Sequence, residues 1–275
     1  MSSGALEVMI RIAAEAAAVV LDVYRTPFKV EYKGPFDPVT EADRRANDLI
    51  CERLQREFPG VPVVAEESAP ESFANYRASS RVFFVDPVDG TNEFVERVPQ
   101  FVVMIGFVDG DRATLGVIHA PALGPAWAGE VGRGAFAIDA GGAREPVRVT
   151  DTAALDCARL VASRSHRSAR LERVLAALGT RDVTAVGSAG LKGVEVARGA
   201  ADAYVTPYYA GKRWDACAAD ALVTAAGGIT TDAYGTPIDY RADSLSNDRG
   251  MVASNGRLHA AILERLEQLR QGEEA

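Results

Sequence analysis

The sequence predicts a layered α/β fold in which helices and sheets alternate, and three observations support this class. Two amphipathic helices come first, over residues 5–25 and from Thr40 to about Phe58. Hydrophobic strands joined by short turns follow, and from Cys157 onward strands alternate with helices. Such alternation is typical of α/β layers. The change of pattern near residue 150 predicts two closely packed halves, 1–150 and 151–275.

Length and composition limit the class of protein. The chain has 275 residues, of which 48% are hydrophobic and 25% charged, as in an ordinary globular protein. It carries 30 Lys and Arg against 38 Asp and Glu, and this net charge of −8 argues against nucleic-acid binding. Three widely spaced cysteines predict a reducing compartment. Charges interrupt the N-terminal apolar stretch and no run of 18 apolar residues occurs, so we expect a cytoplasmic protein with no membrane partner.

The two N-terminal helices follow from local patterns. Apolar residues between Leu6 and Val20 recur at three-to-four spacing, and Thr26-Pro27 ends the first helix. In the second helix, Thr40 can act as the N-cap with Asp43 at the capping-box position. Phe58-Pro59-Gly60 stops that helix.

The remaining elements are predicted from changes in the spacing of hydrophobic residues along the chain. Residues 81–85 predict a buried strand, and residues 101–108 and 113–120 flank a turn and so predict a hairpin. The second half is predicted to contain strands at 158–162, 182–186, 202–206, 229–232 and 250–253, and helices at 168–178, 189–199, 214–226 and 256–270.

The segment from Asp86 to Thr91 offers the most chemistry. It reads Asp-Pro-Val-Asp-Gly-Thr directly after a hydrophobic strand. A turn bent by proline can bring its two carboxylates and the Val88 carbonyl to one side, where a hard cation such as Mg²⁺ takes oxygen ligands. If Thr91 opens a short helix, its N–H and that of Gly90 would point at an anion. Taken alone, the segment also fits an ordinary turn.

Three further acidic segments lie at the ends of predicted elements. Glu66-Glu67 follows an apolar stretch, Asp43 lies in the first turn of the second helix, and Asp215 opens an alanine-rich helix. Each alone also fits a structural role, as a solvated loop charge, a capping partner or a favourable first-turn acid. Ends of elements are nevertheless where side chains from distant parts of a chain can meet, so the four segments together suggest one site.

With these four motifs in this order, the sequence resembles the inositol monophosphatase-like family of Mg²⁺-dependent, lithium-sensitive phosphatases, from Asp37 to about Asn255. The resemblance implies the sugar-phosphatase fold and hydrolysis of phosphomonoesters by water at two or three Mg²⁺ ions, with no covalent phosphoenzyme. It implies metal ligation by Glu66, Asp86, the Val88 carbonyl, Asp89 and Asp215. It also implies that Asp43, Thr91 and Glu66 orient and activate the water, and that Gly90 and Thr91 bind the phosphate. A homodimer is common in the family.

Within that family the sequence is most similar to the 3′(2′),5′-bisphosphate nucleotidases, which remove the 3′-phosphate of adenosine 3′,5′-bisphosphate. The similarity lies in Glu93-Phe94 after Asp-Gly-Thr and in segments 162–166 and 187–192, although Asn92 stands where lysine is usual. It implies that the substrate is bound by Arg164, Ser165, His166, Ser188 and Lys192. The loop with Tyr208, Tyr209, Lys212 and Arg213 could line the base or a second phosphate, or be an ordinary aromatic loop.

Other functions stay open. Within the class, inositol 1-phosphate is the main alternative substrate, and fructose 1,6-bisphosphate, histidinol phosphate and NADP are also compatible. From a different class, a non-catalytic regulatory module could bind a metal or a nucleotide at the same residues. The complete set of ligands and water-activating residues favours an enzyme.

Overall fold

The computed structural model describes residues 4–35, 37–165, 168–180 and 182–274. The helices are α1 (Gly4–Tyr24), α2 (Glu41–Glu57), α3 (Thr91–Val95), α4 (Ala169–Ala177), α5 (Ala189–Ala197), α6 (Arg213–Ala225) and α7 (His259–Glu274). The strands are β1 (Val30–Gly34), β2 (Asp37–Thr40), β3 (Val63–Ala65), β4 (Arg81–Asp89), β5 (Val102–Asp109), β6 (Arg112–His119), β7 (Ala126–Glu130), β8 (Gly134–Ile138), β9 (Arg144–Val147), β10 (Arg159–Ser163), β11 (Asp182–Val186), β12 (Ala203–Thr206), β13 (Ile229–Thr231) and β14 (Met251–Ser254). Short 3₁₀ turns occur at Pro70–Phe73, Tyr76–Ala78 and Leu155–Cys157.

The described residues contain three sheets. The largest has seven strands in sequence order from β3 to β9, antiparallel except for the parallel pair β3–β4. A five-stranded mixed sheet has the order β11-β10-β12-β14-β13, and β1 and β2 form a separate hairpin. The seven-stranded sheet therefore lies wholly before residue 150, and the five-stranded sheet wholly after it.

Five layers result from the packing of helices on both faces of each large sheet. Helices α1 and α2 share a hydrophobic core with one face of the seven-stranded sheet. Helices α5 and α6 lie between the two sheets, in a core to which both sheets contribute. Helices α4 and α7 cover the outer face of the five-stranded sheet. The predicted layered α/β fold is confirmed, and no helix in the described ranges is long and apolar enough to cross a membrane.

A groove of three glycines receives helix α6 on the seven-stranded sheet. Gly106, Gly116 and Gly129 are direct neighbours on strands β5, β6 and β7. A Cβ atom on Gly116 would lie 2.2 Å from the carbonyl oxygen of Ala218 in α6, and one on Gly106 would lie 2.6 Å from Cys217 Sγ. Both distances are shorter than van der Waals contact. The helix backbone therefore approaches the sheet as closely as it does because these positions have no side chain.

The predicted start of the second helix is confirmed, because α2 starts at Glu41 with Thr40 as its N-cap. Residues 37–40, which lead into this helix, form the strand β2, which was not predicted from the sequence. Asp86 and Asp89 do not follow the strand but belong to it, because β4 continues to pair with β5 through both residues. The strand pairing persists across Pro87 by means of a register shift between the two aspartates.

We predict that Gly116→Ala lowers the free energy of unfolding by roughly 1–3 kcal/mol, the usual cost of overpacking, or more. The added methyl group would collide with the α6 backbone, which cannot rotate away as a side chain can. Urea denaturation measures the change. The matched control is Gly272→Ala in α7, where a Cβ meets nothing within 4 Å and where alanine favours the helix. Equal stability of Gly116→Ala and the natural protein would show that the absence of a side chain at this position is not what allows α6 to approach the sheet.

Candidate active site

Three carboxylates from two elements meet where α6 begins above the seven-stranded sheet. Asp86 and Asp89 come from the end of β4, and Asp215 comes from the first turn of α6. One oxygen from each carboxylate lies within 4.8 Å of the others. Asp86 is only 2% exposed and Asp89 9% exposed, so two of the three negative charges are removed from water. We call these three residues the acidic cluster.

A strand bulge directs both aspartates of β4 to the same side. Residues three apart on a regular strand point to opposite faces of the sheet, because side chains alternate. Asp86 pairs with Met104 and Asp89 with Val102, so one extra residue lies in β4 between the two pairs. This bulge turns Asp89 to the side of Asp86. The amide of Val88 donates to Asp86 Oδ1 at 3.0 Å and holds that carboxylate within the bend.

Asp215 is held by the turn that precedes α6. Its Oδ2 accepts a hydrogen bond from the Lys212 amide at 2.5 Å, as in a capping box. Gly211 has a φ of 70°, and a Cβ there would lie 1.9 Å from Asp215 Oδ2. Glycine is therefore required here for two reasons: it adopts the left-handed backbone conformation without strain, and it leaves room for the carboxylate of Asp215.

The carboxylates of the acidic cluster repel one another in a buried place. Burial raises the pKa of Asp86, and the neighbouring carboxylates raise it further, namely those of Glu66, Asp89 and Asp215. Burial and the charge of Asp89 raise the pKa of Asp215 to about 7. A bound cation would relieve this repulsion. The donor set consists of carboxylate oxygens, which suits a hard divalent cation.

Glu66 lies beside the cluster and is paired with a lysine. Its amide donates to the Val85 carbonyl at 3.1 Å, which continues the β3–β4 pairing and places Glu66 next to Asp86. Its Oε1 accepts from Lys33 Nζ at 2.7 Å, and Lys33 also donates to Glu67 at 2.6 Å. Burial and the charge of Asp215 raise the pKa of Glu66 to about 8, although Lys33 opposes this shift. Lys33 was missed at the sequence level, because β1 has no pattern that marks it.

Asp43 and Thr91 meet across 48 positions of sequence. Asp43 Oδ2 accepts from the Thr40 amide at 2.8 Å and from the Thr40 hydroxyl at 2.6 Å, so the predicted capping box exists. Asp43 Oδ1 faces the Thr91 hydroxyl at 3.1 Å. That hydroxyl also lies 2.9 Å from the Val88 carbonyl oxygen and donates to one acceptor at a time. Asp43 thus has both the capping role and a link to the segment with the metal-ligand candidates.

Gly90 and Thr91 form the start of α3. Gly90 is the N-cap residue, with a φ of 96°. A Cβ at this position would lie 2.9 Å from the Gln100 carbonyl oxygen, so only glycine fits the turn. Thr91 is the first residue of a short helix, one of the possibilities that the sequence left open.

Two of the predicted substrate-binding residues lie behind the cluster. Ser188 is 6% exposed, and its hydroxyl donates to Asp89 Oδ2. Lys192 is 4% exposed, with Nζ near the Ser188 carbonyl and 5.2 Å from the ring centroid of Tyr204. Burial lowers the pKa of Lys192, while nearby carboxylates including that of Asp89 raise it. Lys192 is therefore a buried cation close to the acidic cluster.

Two more of the predicted substrate-binding residues, Arg164 and Ser165, directly follow β10. Arg164 Nε donates to Glu93 Oε1 at 3.2 Å, and its Nη2 donates to Glu96. Glu93 is 2% exposed and lies in α3, so this partly buried ion pair joins the end of β10 to α3. Ser165 is exposed at the same end of β10. His166 lies outside the described residues.

An aromatic loop borders the site just before α6. Tyr209 is 58% exposed, and Lys212 Nζ lies 6.0 Å from its ring centroid. Burial raises the pKa of Tyr209, and the charge of Asp215 raises it further. Asn247 Nδ2 fixes the loop by donating to the carbonyls of Ala210 at 3.2 Å and Lys212 at 2.5 Å.

Comparisons with known proteins show which sequences and structures this chain is similar to. The sequence model described as the inositol monophosphatase family matches residues 3–271. The 3′(2′),5′-bisphosphate nucleotidase CysQ of Escherichia coli (strain K12) is 34% identical over 238 residues, or 86% of this chain and 93% of the relative. A fructose-1,6-bisphosphatase/inositol-1-monophosphatase of Thermotoga maritima is 32% identical over 238 residues, or 86% and 85%. The extragenic suppressor protein suhB of Bartonella henselae has a similar structure, with a TM-score of 0.81, 26% identity and coverage of 96% and 98%.

We predict that Asp86→Asn weakens the binding of divalent cations by more than about 100-fold, because loss of a residue that merely supports a ligand already costs 10–100-fold. Asn keeps the shape of the side chain, so the circular dichroism spectrum is expected to be unchanged. Titration calorimetry with Mn²⁺ measures the affinity. Asp182→Asn, on exposed β11, is the matched control and is expected to bind as the natural protein does. Unaltered affinity in Asp86→Asn would show that Asp86 is not a metal ligand.

Proposed function

Because the chain belongs to the inositol monophosphatase family, we propose that it is a Mg²⁺-dependent 3′(2′),5′-bisphosphate nucleotidase that converts adenosine 3′,5′-bisphosphate to AMP and phosphate. The family makes the chain a phosphoric monoester hydrolase. The convergence of Asp86, Asp89 and Asp215 is the observation that carries the reaction class. The choice of substrate is supported by the 34% identity to CysQ.

The residues present suit metal-assisted hydrolysis. Asp86, Asp89 and Asp215 would hold Mg²⁺, with Glu66 and the Val88 carbonyl as further oxygen ligands. When bound, such ions stabilise the charge on the transferring phosphoryl group and lower the pKa of a bound water. The carbonyl oxygen of Val88 has two lone pairs, so its contact with Thr91 leaves it able to serve as a ligand as well.

Thr91 and Asp43 are placed to orient the attacking water. Asp43 is fixed by Thr40 through two hydrogen bonds, so it forms a rigid acceptor for the Thr91 proton. When that proton points to Asp43, a lone pair of the Thr91 oxygen is directed away and can accept a hydrogen bond from a water molecule. The pair would thus position the water without forming a covalent bond to phosphorus.

The turn from Gly90 to Thr91 would receive the phosphate. The first N–H groups of a helix have no partner within the helix and attract anions. Because a Cβ on Gly90 would strike the Gln100 carbonyl, the backbone itself lines this turn. Cations held by the acidic cluster would offset the charge of the chain locally, so an acidic protein can bind an anionic substrate.

The loop at Tyr209 offers a surface for a nucleoside. An aromatic ring that is 58% exposed beside the cluster can stack on a purine, and Lys212 adds a positive charge near a second phosphate. A polyol phosphate has no flat group to use this ring. A second candidate, hydrolysis of inositol 1-phosphate, is favoured by 32% identity to the Thermotoga maritima enzyme, whose name includes that activity.

Phosphate release from four substrates tests the proposed function: adenosine 3′,5′-bisphosphate, inositol 1-phosphate, fructose 1,6-bisphosphate and NADP. With Mg²⁺, we expect kcat/KM for the adenosine bisphosphate to exceed the others by about tenfold or more, roughly 1.4 kcal/mol of preferential transition-state binding. EDTA should abolish the activity and Li⁺ should inhibit it. Preference for inositol 1-phosphate would support the second candidate. No hydrolysis of any substrate would favour a non-catalytic binding module.

Tyr209→Ala tests the nucleoside surface. Loss of base stacking costs about 1–3 kcal/mol, so kcat/KM for adenosine 3′,5′-bisphosphate should fall at least about fivefold. The value for inositol 1-phosphate should stay the same, and Tyr209→Phe should keep both. Tyr234→Ala, which removes another exposed tyrosine, is the matched control. An equal loss for both substrates would show that Tyr209 supports the loop rather than the base.

A further inference from the structure

We propose that Ser188 is a positioning residue that fixes the Asp89 carboxylate for metal binding, and that its unusual backbone conformation exists for this purpose. The inference rests on the proposed metal-dependent reaction. It concerns how residues of the second half of the chain complete a site whose carboxylates come mainly from the first half.

Two donors from the start of α5 hold one oxygen of Asp89. Asp89 Oδ2 accepts from the Ser188 hydroxyl and from the Gly190 amide, the latter at 2.6 Å. Two hydrogen bonds to one oxygen fix the rotation of the carboxylate. The other oxygen, Oδ1, is then presented in a constant direction, which is what a ligand of a small cation requires.

The backbone of Ser188 is strained. Its φ is 60° and its ψ is 137°, a region that residues with a side chain rarely adopt. In the described ranges, the only other non-glycine residue with a positive φ is Arg97. Strain of this kind persists where the surroundings impose it, and it is concentrated at functional sites.

Helix capping does not explain the strain. Ser188 is the N-cap of α5, and its Oγ accepts from the Leu191 amide at 3.0 Å. Ser168 caps α4 through the same kind of bond, from the Leu171 amide at 3.1 Å, yet has an ordinary φ of −114°. The feature that Ser188 has in addition is the donated bond to Asp89. A serine hydroxyl can accept one bond and donate another, so both roles are compatible.

The neighbouring residues hold this turn in place. The Gly187 amide donates to Gln100 Oε1 at 2.8 Å, and a Cβ on Gly187 would lie 2.5 Å from Glu93 Cγ. On the other side, a Cβ on Gly90 would lie 3.3 Å from the Ser188 Cβ. Ser188 is thus packed against Gly90, in the turn proposed to receive the phosphate, as well as bonded to Asp89. A change at Ser188 would therefore act directly on Asp89 and on the turn at Gly90.

Two substitutions separate the hydroxyl from the strain. Ser188→Ala removes the hydroxyl and keeps a side chain at a positive φ, whereas Ser188→Gly removes the hydroxyl and relieves the strain. We expect both to weaken Mn²⁺ binding by about 10–100-fold in titration calorimetry. Saturating Mn²⁺ should also raise their thermal midpoints less than that of the natural protein. Measured in EDTA, Ser188→Gly should unfold at a higher temperature than Ser188→Ala.

Ser168→Ala is the matched control, because it removes an N-cap that has no role at the cluster. We expect it to lower the thermal midpoint in EDTA and to leave the affinity for Mn²⁺ unchanged. If Ser188→Gly binds Mn²⁺ as tightly as the natural protein, Ser188 is only a cap and the inference is wrong. If the natural protein itself does not bind Mn²⁺ or Mg²⁺, the proposed metal-dependent function fails and the inference fails with it.

Discussion

The close approach of helix α6 to the seven-stranded sheet is the constraint on which the site depends. Gly106, Gly116 and Gly129 remove side chains from three adjacent strands, and the helix backbone occupies that space. Since α6 carries Asp215 in its first turn, the depth of the helix sets the distance from Asp215 to the aspartates of β4. A helix held off by ordinary side chains would separate carboxylates that now lie within 4.8 Å of one another. The packing of α6 in the core thus determines how close Asp215 lies to Asp86 and Asp89.

The negative charges of the buried carboxylates are only partly neutralised by neighbouring lysines. A chain with a net charge of −8 concentrates buried carboxylates at one point and places two lysines next to them. Lys33 from the β1–β2 hairpin pairs with Glu66, and buried Lys192 from α5 lies near Asp89. These cations reduce the repulsion only in part, because the pKa values of Glu66 and Asp215 stay raised, to about 8 and about 7. The remaining negative charge is what a divalent cation would neutralise.

Much of the fold and most of the candidate site residues could be predicted from the sequence, because the signals that mark them are local. Helix periodicity, the Thr40 and Asp43 capping box and the Asp-Pro-Val-Asp-Gly-Thr segment are each contained in a few adjacent residues. The glycine groove could not be predicted in this way, since it depends on the register of three strands. Lys33 at Glu66 and the bond from Ser188 to Asp89 also depend on tertiary contacts. The bulge in β4 was missed because proline and glycine suggested a turn, whereas pairing with β5 extends the strand.

The position of bound metal in crystals of the protein grown with Mn²⁺ tests the assigned metal ligands most directly. An anomalous difference map locates the ions independently of any activity. We expect density within coordination distance of the carboxylates of Asp86, Asp89 and Asp215, with Oδ2 of Asp89 still bonded to Ser188. Density elsewhere, or none between these carboxylates at saturating Mn²⁺, would contradict these assignments.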